Sequence, residues 1–457
     1  MAVSPARTAA FHALTAVALD RGDLPSALAH SRSRLTDERD RALTAAIVTG
    51  TLRWQRRLDY LIQHVARRPL TKLDPAVLMI ARLSLFQILY LDRVPAAAVV
   101  DDAVNLTRAA KLPSAAGFVN AVLRSTLRQR HRLPLPPRPA KAENRDDALR
   151  YLGITLSHPD WLVARWMDRY GFDRAEQWAQ FNNDPAPLTL RANRLRASRE
   201  AVREMLAAED IGTHSTRYAP DGLVVTSGNP LRRPGDGTFI VQDEASQLVP
   251  LALDARPRER VLDLCASPGG KTVAIASSMD NSGVLVASDV RPRRVALMRE
   301  TIRPSGASHV HLVHVPTDGP LPFGRVFDRV LVDAPCSGLG TVRRDPDIKW
   351  RREEGDLATL AHGQIDLLTR AATVVRPGGR LVYATCSSEP EENEAVVRAF
   401  LARHPQWQAV DLRHDASPHL APVLDDRGAL HTLPFEHGLE AFFATALALG
   451  SDPGDAS

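Results

Sequence analysis

Residues 260–272 read RVLDLCASPGGKT, and the fold follows from how this stretch is parsed. Val261, Leu262 and Leu264 form a short apolar run around Asp263, and a Pro-Gly-Gly turn follows. Such a run predicts a buried strand, and the glycines after it let backbone pass close to a ligand before a helix begins. That edge of an open α/β sheet is where nucleotide-like molecules bind. Two commoner motifs fail here. A P-loop needs Gly-x-x-x-x-Gly-Lys-Thr, and although Gly270, Lys271 and Thr272 supply its end, Cys265 stands at its opening position. The dinucleotide pattern Gly-x-Gly-x-x-Gly is absent. GVLVASD (Gly283 to Asp289) predicts a second strand about one βα unit later, ending in an acid that can accept hydrogen bonds from a ribose. An Asp there can also cap the helix that begins near Arg291.

Working outward, strands at 260–265, 283–289, 309–315, 327–333 and 379–385 alternate with helical stretches, and an antiparallel end spans about 430–449. Alternation of this kind predicts a mostly parallel, doubly wound sheet over residues 236–450. Residues 1–132 show little strand signal. Their apolar residues recur at helical spacing, as with Leu58, Leu61, Ile62 and Val65, which predicts an all-α bundle with helices near 6–20, 37–67, 75–91, 96–111 and 115–130. Pro134, Pro136, Pro137 and Pro139 mark residues 133–149 as a linker. Residues 150–235 mix helical stretches with strand candidates at 188–192 and 223–226, a small α+β subdomain in which Arg191, Arg194 and Arg196 can line an RNA path. Residues 451–457 predict a disordered tail.

Composition narrows the function. Of 58 basic residues only five are Lys, and two of these, Lys271 and Lys349, sit inside motifs discussed here. Residues 1–150 hold 24 basic and 13 acidic side chains, whereas the remainder is acidic on balance, so a polyanion would dock mainly on the helical front half. Arg53, Arg56, Arg57, Arg67, Arg68, Arg124, Arg128, Arg130 and Arg132 are its candidate phosphate contacts. No apolar run reaches 18 residues and no secretory leader is apparent, so a cytoplasmic protein without a membrane partner is expected. Three cysteines spaced 71 and 50 apart, with no Cys-x-x-Cys, argue against zinc, other metals and a disulfide framework.

Those cysteines carry the chemistry. FDRVLVDAPCSG (Phe327 to Gly338) leaves Asp333, Pro335 and Cys336 past a strand's carboxyl end, and GRLVYATCSS (Gly379 to Ser388) leaves Cys386 past another. One such cysteine reads as a small buried hydrophobe; two in matching loops beside the 265–271 turn read as a site. A thiolate adding to carbon 6 of cytosine turns carbon 5 into an enamine carbon that can attack an electrophilic methyl group. The thiol then needs an electropositive pocket, and a carboxyl such as Asp333 can hold ring nitrogen 3 and the exocyclic amine.

With LDLCASPGGKT, LVDAPCSGLGTVRRDPDIKW (Leu331 to Trp350) and YATCS (Tyr383 to Ser387) in this order, the chain resembles the Sun-type (Nop/Sun) RNA cytosine-5 methyltransferases. IVQDEASQL (Ile240 to Leu248) and GFVNAVLR (Gly117 to Arg124) point to the bacterial branch that acts on 16S ribosomal RNA and carries a NusB-like helical domain in front. The resemblance implies a Rossmann-like class I methyltransferase domain, S-adenosylmethionine as cofactor and small-subunit ribosomal RNA as partner, and we take the protein as a monomer. It implies that Cys265, Ala266, Ser267, Pro268, Gly269, Gly270 and Lys271 wrap the methionine end of the cofactor, Asp289 its ribose and Asp318 its adenine. Asp333 would sit near both the methyl donor and the cytosine, with Lys271 as its partner. Cys386 would be the nucleophile and Cys336 would assist product release, while Cys265 is left with packing and backbone contact.

Three positions depart from the family pattern. Asp318 lies in PTDGP rather than in Gly-Asp followed by a small residue and Arg, Ser267 replaces Ala, and GLEAFF (Gly438 to Phe443) replaces Gly-Asp-Gly-Phe-Phe. Two rivals remain open at this stage. Methylation of a nitrogen would need no thiol, and a non-enzymatic ribosome-assembly or antitermination factor would need no cofactor loop.

Overall fold

The computed structural model describes residues 3–140, 144–232 and 235–449, so the expected tail at 451–457 and part of the expected linker lie outside the described residues. The chain forms two compact units: Met1–Pro185 with Val342–Glu354, and Ala186–Thr341 with Gly355–Ser457.

The first unit opens with helices Pro5–Ala18, Leu24–Arg34, Glu38–Arg53, Gln55–Ala66, Pro75–Tyr90, Ala96–Ala109 and Ala116–Arg128. Asp23, Asp37 and Asp74 cap three of them by accepting from the backbone N–H of Ser26, Arg39 and Ala76, each cap contributing about 1 kcal/mol. Pro75–Tyr90 has no polar face, because it runs through the middle of the bundle and buries Ile80, Leu83 and Leu85 against Leu14, Ile47 and Ile62.

Two expectations for this unit need correction. The single helix expected at 37–67 breaks at Trp54 (φ −103°, ψ 14°), whose ring stacks on Tyr90 with centroids 4.9 Å apart and lies under the Arg57 guanidinium. Helix Leu24–Arg34 was not anticipated, because only Leu24, Ala27 and Leu28 meet the core, in a stretch otherwise rich in Ser, His and Arg. Further along, helices Asp160–Tyr170 and Phe172–Asn183 pack through Trp166 and Trp178, stacked at 4.8 Å.

The segment Val342–Glu354 is held in this first unit by its own side chains. Trp350 Nε1 donates to the Leu52 carbonyl (2.6 Å), and Lys349, fully buried, donates to the carbonyls of Arg53 (3.0 Å) and Ser157 (2.6 Å). Burial and then the nearby charge of Arg53 hold the Lys349 ammonium pKa well below its ordinary value.

The second unit contains two sheets. β1 (Thr189–Ala192), β2 (Thr213–Ser215), β3 (Gly222–Val225) and β4 (Phe239–Val241) make a small antiparallel sheet in the order β2-β3-β1-β4. The large sheet is built from β5 (Arg260–Asp263), β6 (Val284–Asp289), β7 (Val310–His314), β8 (Phe327–Asp333), β9 (Val375–Thr385), β10 (Trp407–Val410), β11 (Leu430–Thr432) and β12 (Phe442–Leu449). Its order is β10-β12-β9-β8-β5-β6-β7, with β11 also paired to β12. Strands β5 to β9 pair in parallel, whereas β12 joins β9, β10 and β11 antiparallel. The α/β class is as expected, and the sheet is mixed. Strand β10 was not anticipated.

Chain order runs outward from β5 in both directions, through β6 and β7 on one side and β8 and β9 on the other. That reversal opens a crevice at the carboxyl ends of β5 and β8, where ligands bind in sheets of this kind. Asp263 pairs in register with Leu331 and Asp333 with Ala384, so the loops after β5, β8 and β9 leave the sheet at nearly one level.

Candidate active site

The loop after β5 is held by backbone on both sides. Ala266 N–H donates to the Ser288 carbonyl (2.9 Å), Gly269 N–H donates back to Ala266 (2.7 Å), and Ser288 Oγ donates to the Leu264 carbonyl (2.9 Å). Gly269 has φ of 103°, a conformation that costs glycine nothing, and it opens helix Gly270–Ser278. The Ser267–Pro268 peptide is cis.

Beside this loop lies a cavity of about 730 Å³ lined in part by Cys265, Asp289, Val290, Asp318 and Pro335. Its size suits a nucleoside-sized ligand. Asp289 is buried at the end of β6 and accepts from Arg291 N–H (3.0 Å), with Arg294 3.8 Å from its other oxygen. The helix Pro292–Ser305 has no side-chain cap, so Asp289 does not cap it; the carboxylate closes the turn before that helix and lines the cavity. Asp318 is exposed at the rim.

Lys271, one residue into the helix after the loop, places its Nζ 2.7 Å from Asp333 Oδ2 at the end of β8. Burial opposes the Lys271 charge, but the charge of Asp333, their hydrogen bond and the more distant Asp243 and Cys386 outweigh it, so its pKa is raised. The ammonium also lies 5.9 Å from the Phe442 ring centroid, on β12.

The thiols of Cys336 and Cys386 meet at 3.3 Å. The Cys336 pKa is raised well above the ordinary value, first by its hydrogen bond with Cys386, then by burial and by the charges of Cys386 and Glu392. Burial first, then the charges of Asp333, Asp263 and Asp289, raise the Cys265 pKa strongly as well, which favours its protonated form. The loops that carry Cys336 and Cys386 touch through backbone: Gly340 N–H donates to the Cys386 carbonyl (3.0 Å), and Ala441 N–H donates to the Gly340 carbonyl (3.1 Å).

Two residues at this site, Asp263 and Glu392, were given no role from the sequence, and a third, Arg191, was given a different one. Asp263 is fully buried, its Oδ2 accepts from Thr272 Oγ1 (2.7 Å), and its Oδ1 has no hydrogen-bond partner among the described residues. Burial, supported by Asp333 and opposed by Thr272 and Lys271, pushes its pKa up to about 7. Glu392 is fully buried behind both cysteine loops. Arg191, expected along an RNA path, is instead buried: it donates to Gln242 Oε1 and to the Gly270 carbonyl (2.8 Å), bracing the cofactor-side helix from β1. Its neighbours on that path are engaged too, Arg194 with Asp221 at 3.4 Å and Arg196 with the Pro304 carbonyl at 3.3 Å. An arginine in a strand flanked by apolar residues is the one signal that marked Arg191 as buried.

Among the described residues no cluster of His, Cys, Asp and Glu has a form that would hold a metal ion, and no helix is long and apolar enough to cross a membrane.

Comparison with known proteins agrees with this geometry. Residues 250–448 match the 16S rRNA methyltransferase RsmB/F family, residues 4–128 the NusB family and residues 158–232 the ferredoxin-like domain of RsmF/B-like methyltransferases. A probable ribosomal RNA small subunit methyltransferase B of Bacillus subtilis is 35% identical over 91% of this chain and 92% of its own. The ribosomal RNA small subunit methyltransferase B of Pseudomonas putida is 36% identical over 92% of this chain and 95% of its own. Among solved structures, that of PH0851 matches with a TM-score of 0.79 at 25% identity, covering 98% of this chain and 99% of that one. The chain belongs to the 16S rRNA methyltransferase RsmB/F family, and S-adenosylmethionine is its cofactor.

Proposed function

We propose that this protein methylates carbon 5 of a cytosine in 16S ribosomal RNA through a covalent adduct to Cys386. The observation that carries the reading is the 3.3 Å approach of Cys386 and Cys336 beside the Lys271–Asp333 pair. A nitrogen methyltransferase has no use for two thiols in contact, and an assembly factor has no use for the cavity at the 265–270 loop.

The cavity size and the buried acid at Asp289 in its lining fit the cofactor. Cys265 to Lys271 would hold its methionine end, Asp289 its ribose hydroxyls and Asp318 its adenine. When bound, S-adenosylmethionine supplies an electrophilic methyl group. The Cys386 thiolate adds to carbon 6, in a pocket where Lys271 is the nearby cation. The protonated carboxyl of Asp333, oriented by Lys271, gives its proton to nitrogen 3 as the thiolate adds, and its other oxygen accepts from the exocyclic amine. Carbon 5, now enamine-like, takes the methyl group. In the release step the carbon 5 proton passes to solvent water and the carbon–sulfur bond breaks, its electron pair returning to Cys386 as the thiolate; Cys336 assists by donating its S–H to the departing sulfur. The target base must leave its stack, at roughly a few kcal/mol, so an unpaired cytosine is the expected substrate.

The test compares two variants on unmodified 16S ribosomal RNA. Cys386→Ala should lose methyl transfer while binding S-adenosylmethionine normally, and Cys336→Ala should accumulate a protein–RNA adduct that survives denaturation. Continued formation of 5-methylcytosine by Cys386→Ala would remove the proposal.

A further inference from the structure

Glu392 lies in the acid-rich stretch SEPEENE (388–394), which reads as a solvated loop. It is fully buried. Oε1 accepts from Ser337 N–H (2.7 Å) and from Gln364 Nε2 (2.9 Å), and Oε2 accepts from Ser387 Oγ. Ser337 and Ser387 directly follow Cys336 and Cys386, and their hydroxyls also meet at 3.2 Å. The backbone carbonyl of Glu392 accepts from the Tyr383 hydroxyl (2.6 Å), three residues before Cys386. The carboxylate thus holds the residue after each thiol, on two loops that the sequence separates by 50 positions.

The hydrogen-bond donors to this carboxylate are neutral, and among the described residues no cation is paired with it. Cys336 is among the groups that feel the carboxylate's charge, which favours its protonated form. A protonated Cys336 can donate its S–H to Cys386 across 3.3 Å and stabilise a thiolate there.

Resting on the covalent reading above, we propose that Glu392 is a positioning residue that clamps the two cysteine loops together and ranks their thiols, keeping the proton on Cys336 so that Cys386 alone attacks. A buried glutamate that served only packing would set the spacing of the loops and leave their relative reactivity alone. Removing the charge while keeping the shape separates the two roles.

The experiment labels the full-length protein, without RNA, with iodoacetamide across pH 6–10, and reads Cys336 and Cys386 separately by peptide mass spectrometry. In Glu392→Gln, Cys336 should label about tenfold faster at pH 8 than in the unchanged protein, the gain expected for a thiol pKa lower by one. S-adenosylmethionine affinity should stay within about twofold and kcat should fall at least about tenfold, on the scale of a lost protonation-state preference. An unmoved Cys336 profile in Glu392→Gln would overturn the ranking. Ser387→Ala, which removes one arm of the clamp and no charge, should lower kcat several-fold with the Cys336 profile unmoved; an unchanged kcat would overturn the clamp. The labelling needs no RNA and no turnover, so its failure would remove Glu392 from this role and leave the covalent route standing. A Cys386→Ala enzyme that still turns over, alongside an intact labelling shift, would do the reverse.

Discussion

Lys271 Nζ and Asp333 Oδ2 lie 2.7 Å apart, joining the helix after β5 to the end of β8 across 62 positions of sequence. The contact ties the cofactor side of the crevice to the cysteine side. Both side chains are largely buried, at 14% and 25% exposure, so neither charge is compensated by water if the other is removed.

Lys271→Gln should therefore cost more than a surface ion pair. We expect kcat/KM to fall at least about tenfold and stability to fall by about 1–3 kcal/mol, since a partly buried charge is left unpaired. Steady-state kinetics with denaturant unfolding checks both, and a variant with unchanged kinetics would separate this pair from the reaction.

Asp263 gives the fold a pH dependence with a defined sign. Its pKa is raised from about 3.8 to about 7, so the folded chain prefers the protonated carboxyl. Its contribution is fully present below the unfolded value near pH 4 and is lost as pH rises through about 7. Each tenfold change in proton affinity is worth about 1.4 kcal/mol. Asp263→Asn, which keeps an acceptor for Thr272, should melt several degrees higher than the unchanged protein at pH 8, with the difference shrinking toward pH 4. Equal differences at both pH values would contradict this account.

Arg191 should matter for the cofactor and not for RNA. Arg191→Met removes the donors to Gln242 and to the Gly270 carbonyl, which should weaken S-adenosylmethionine binding about tenfold, about the worth of one charge-assisted hydrogen bond. Arg194→Ala, at a half-exposed side chain, should leave that affinity unchanged. Calorimetric titration of both variants checks the contrast.

Gly340 has no room for a side chain. A Cβ there would meet the Ala441 carbonyl oxygen at 1.9 Å and the Cys386 carbonyl oxygen at 2.8 Å. Both obstacles are backbone, so Gly340→Ala must push the two cysteine loops apart, at about 1–3 kcal/mol. A lowered melting temperature together with a larger fall in kcat is the expected result.

Much of this architecture could be read from residue patterns because its determinants are local. Strand β5 ends in a glycine turn, β8 and β9 end in matching cysteine loops, and the alternation of apolar runs with helices fixes a parallel core. What escaped was decided by distant partners. Trp54 breaks a helix because Tyr90, 36 positions on, offers a ring to stack against. Glu392 is buried because Ser337 and Gln364, 55 and 28 positions away, supply donors for an acid that its neighbours alone would leave in water. Arg191 faces inward because Gln242 and the Gly270 carbonyl, 51 and 79 positions away, accept from its guanidinium. The Lys271–Asp333 pair was foreseen through family resemblance, since no local pattern links positions 271 and 333.

The assignment of Val342–Glu354 to the first unit makes the polypeptide cross between units three times, after Pro185, after Thr341 and after Glu354. Trimming the chain from its N-terminus up to Ala186 would therefore not release a self-sufficient enzyme. It would strip the bed from beneath Trp350 and leave the Lys349 amine without the two carbonyls that satisfy it. The helical front half thus supplies the packing for a segment that in sequence lies between two stretches of the other unit.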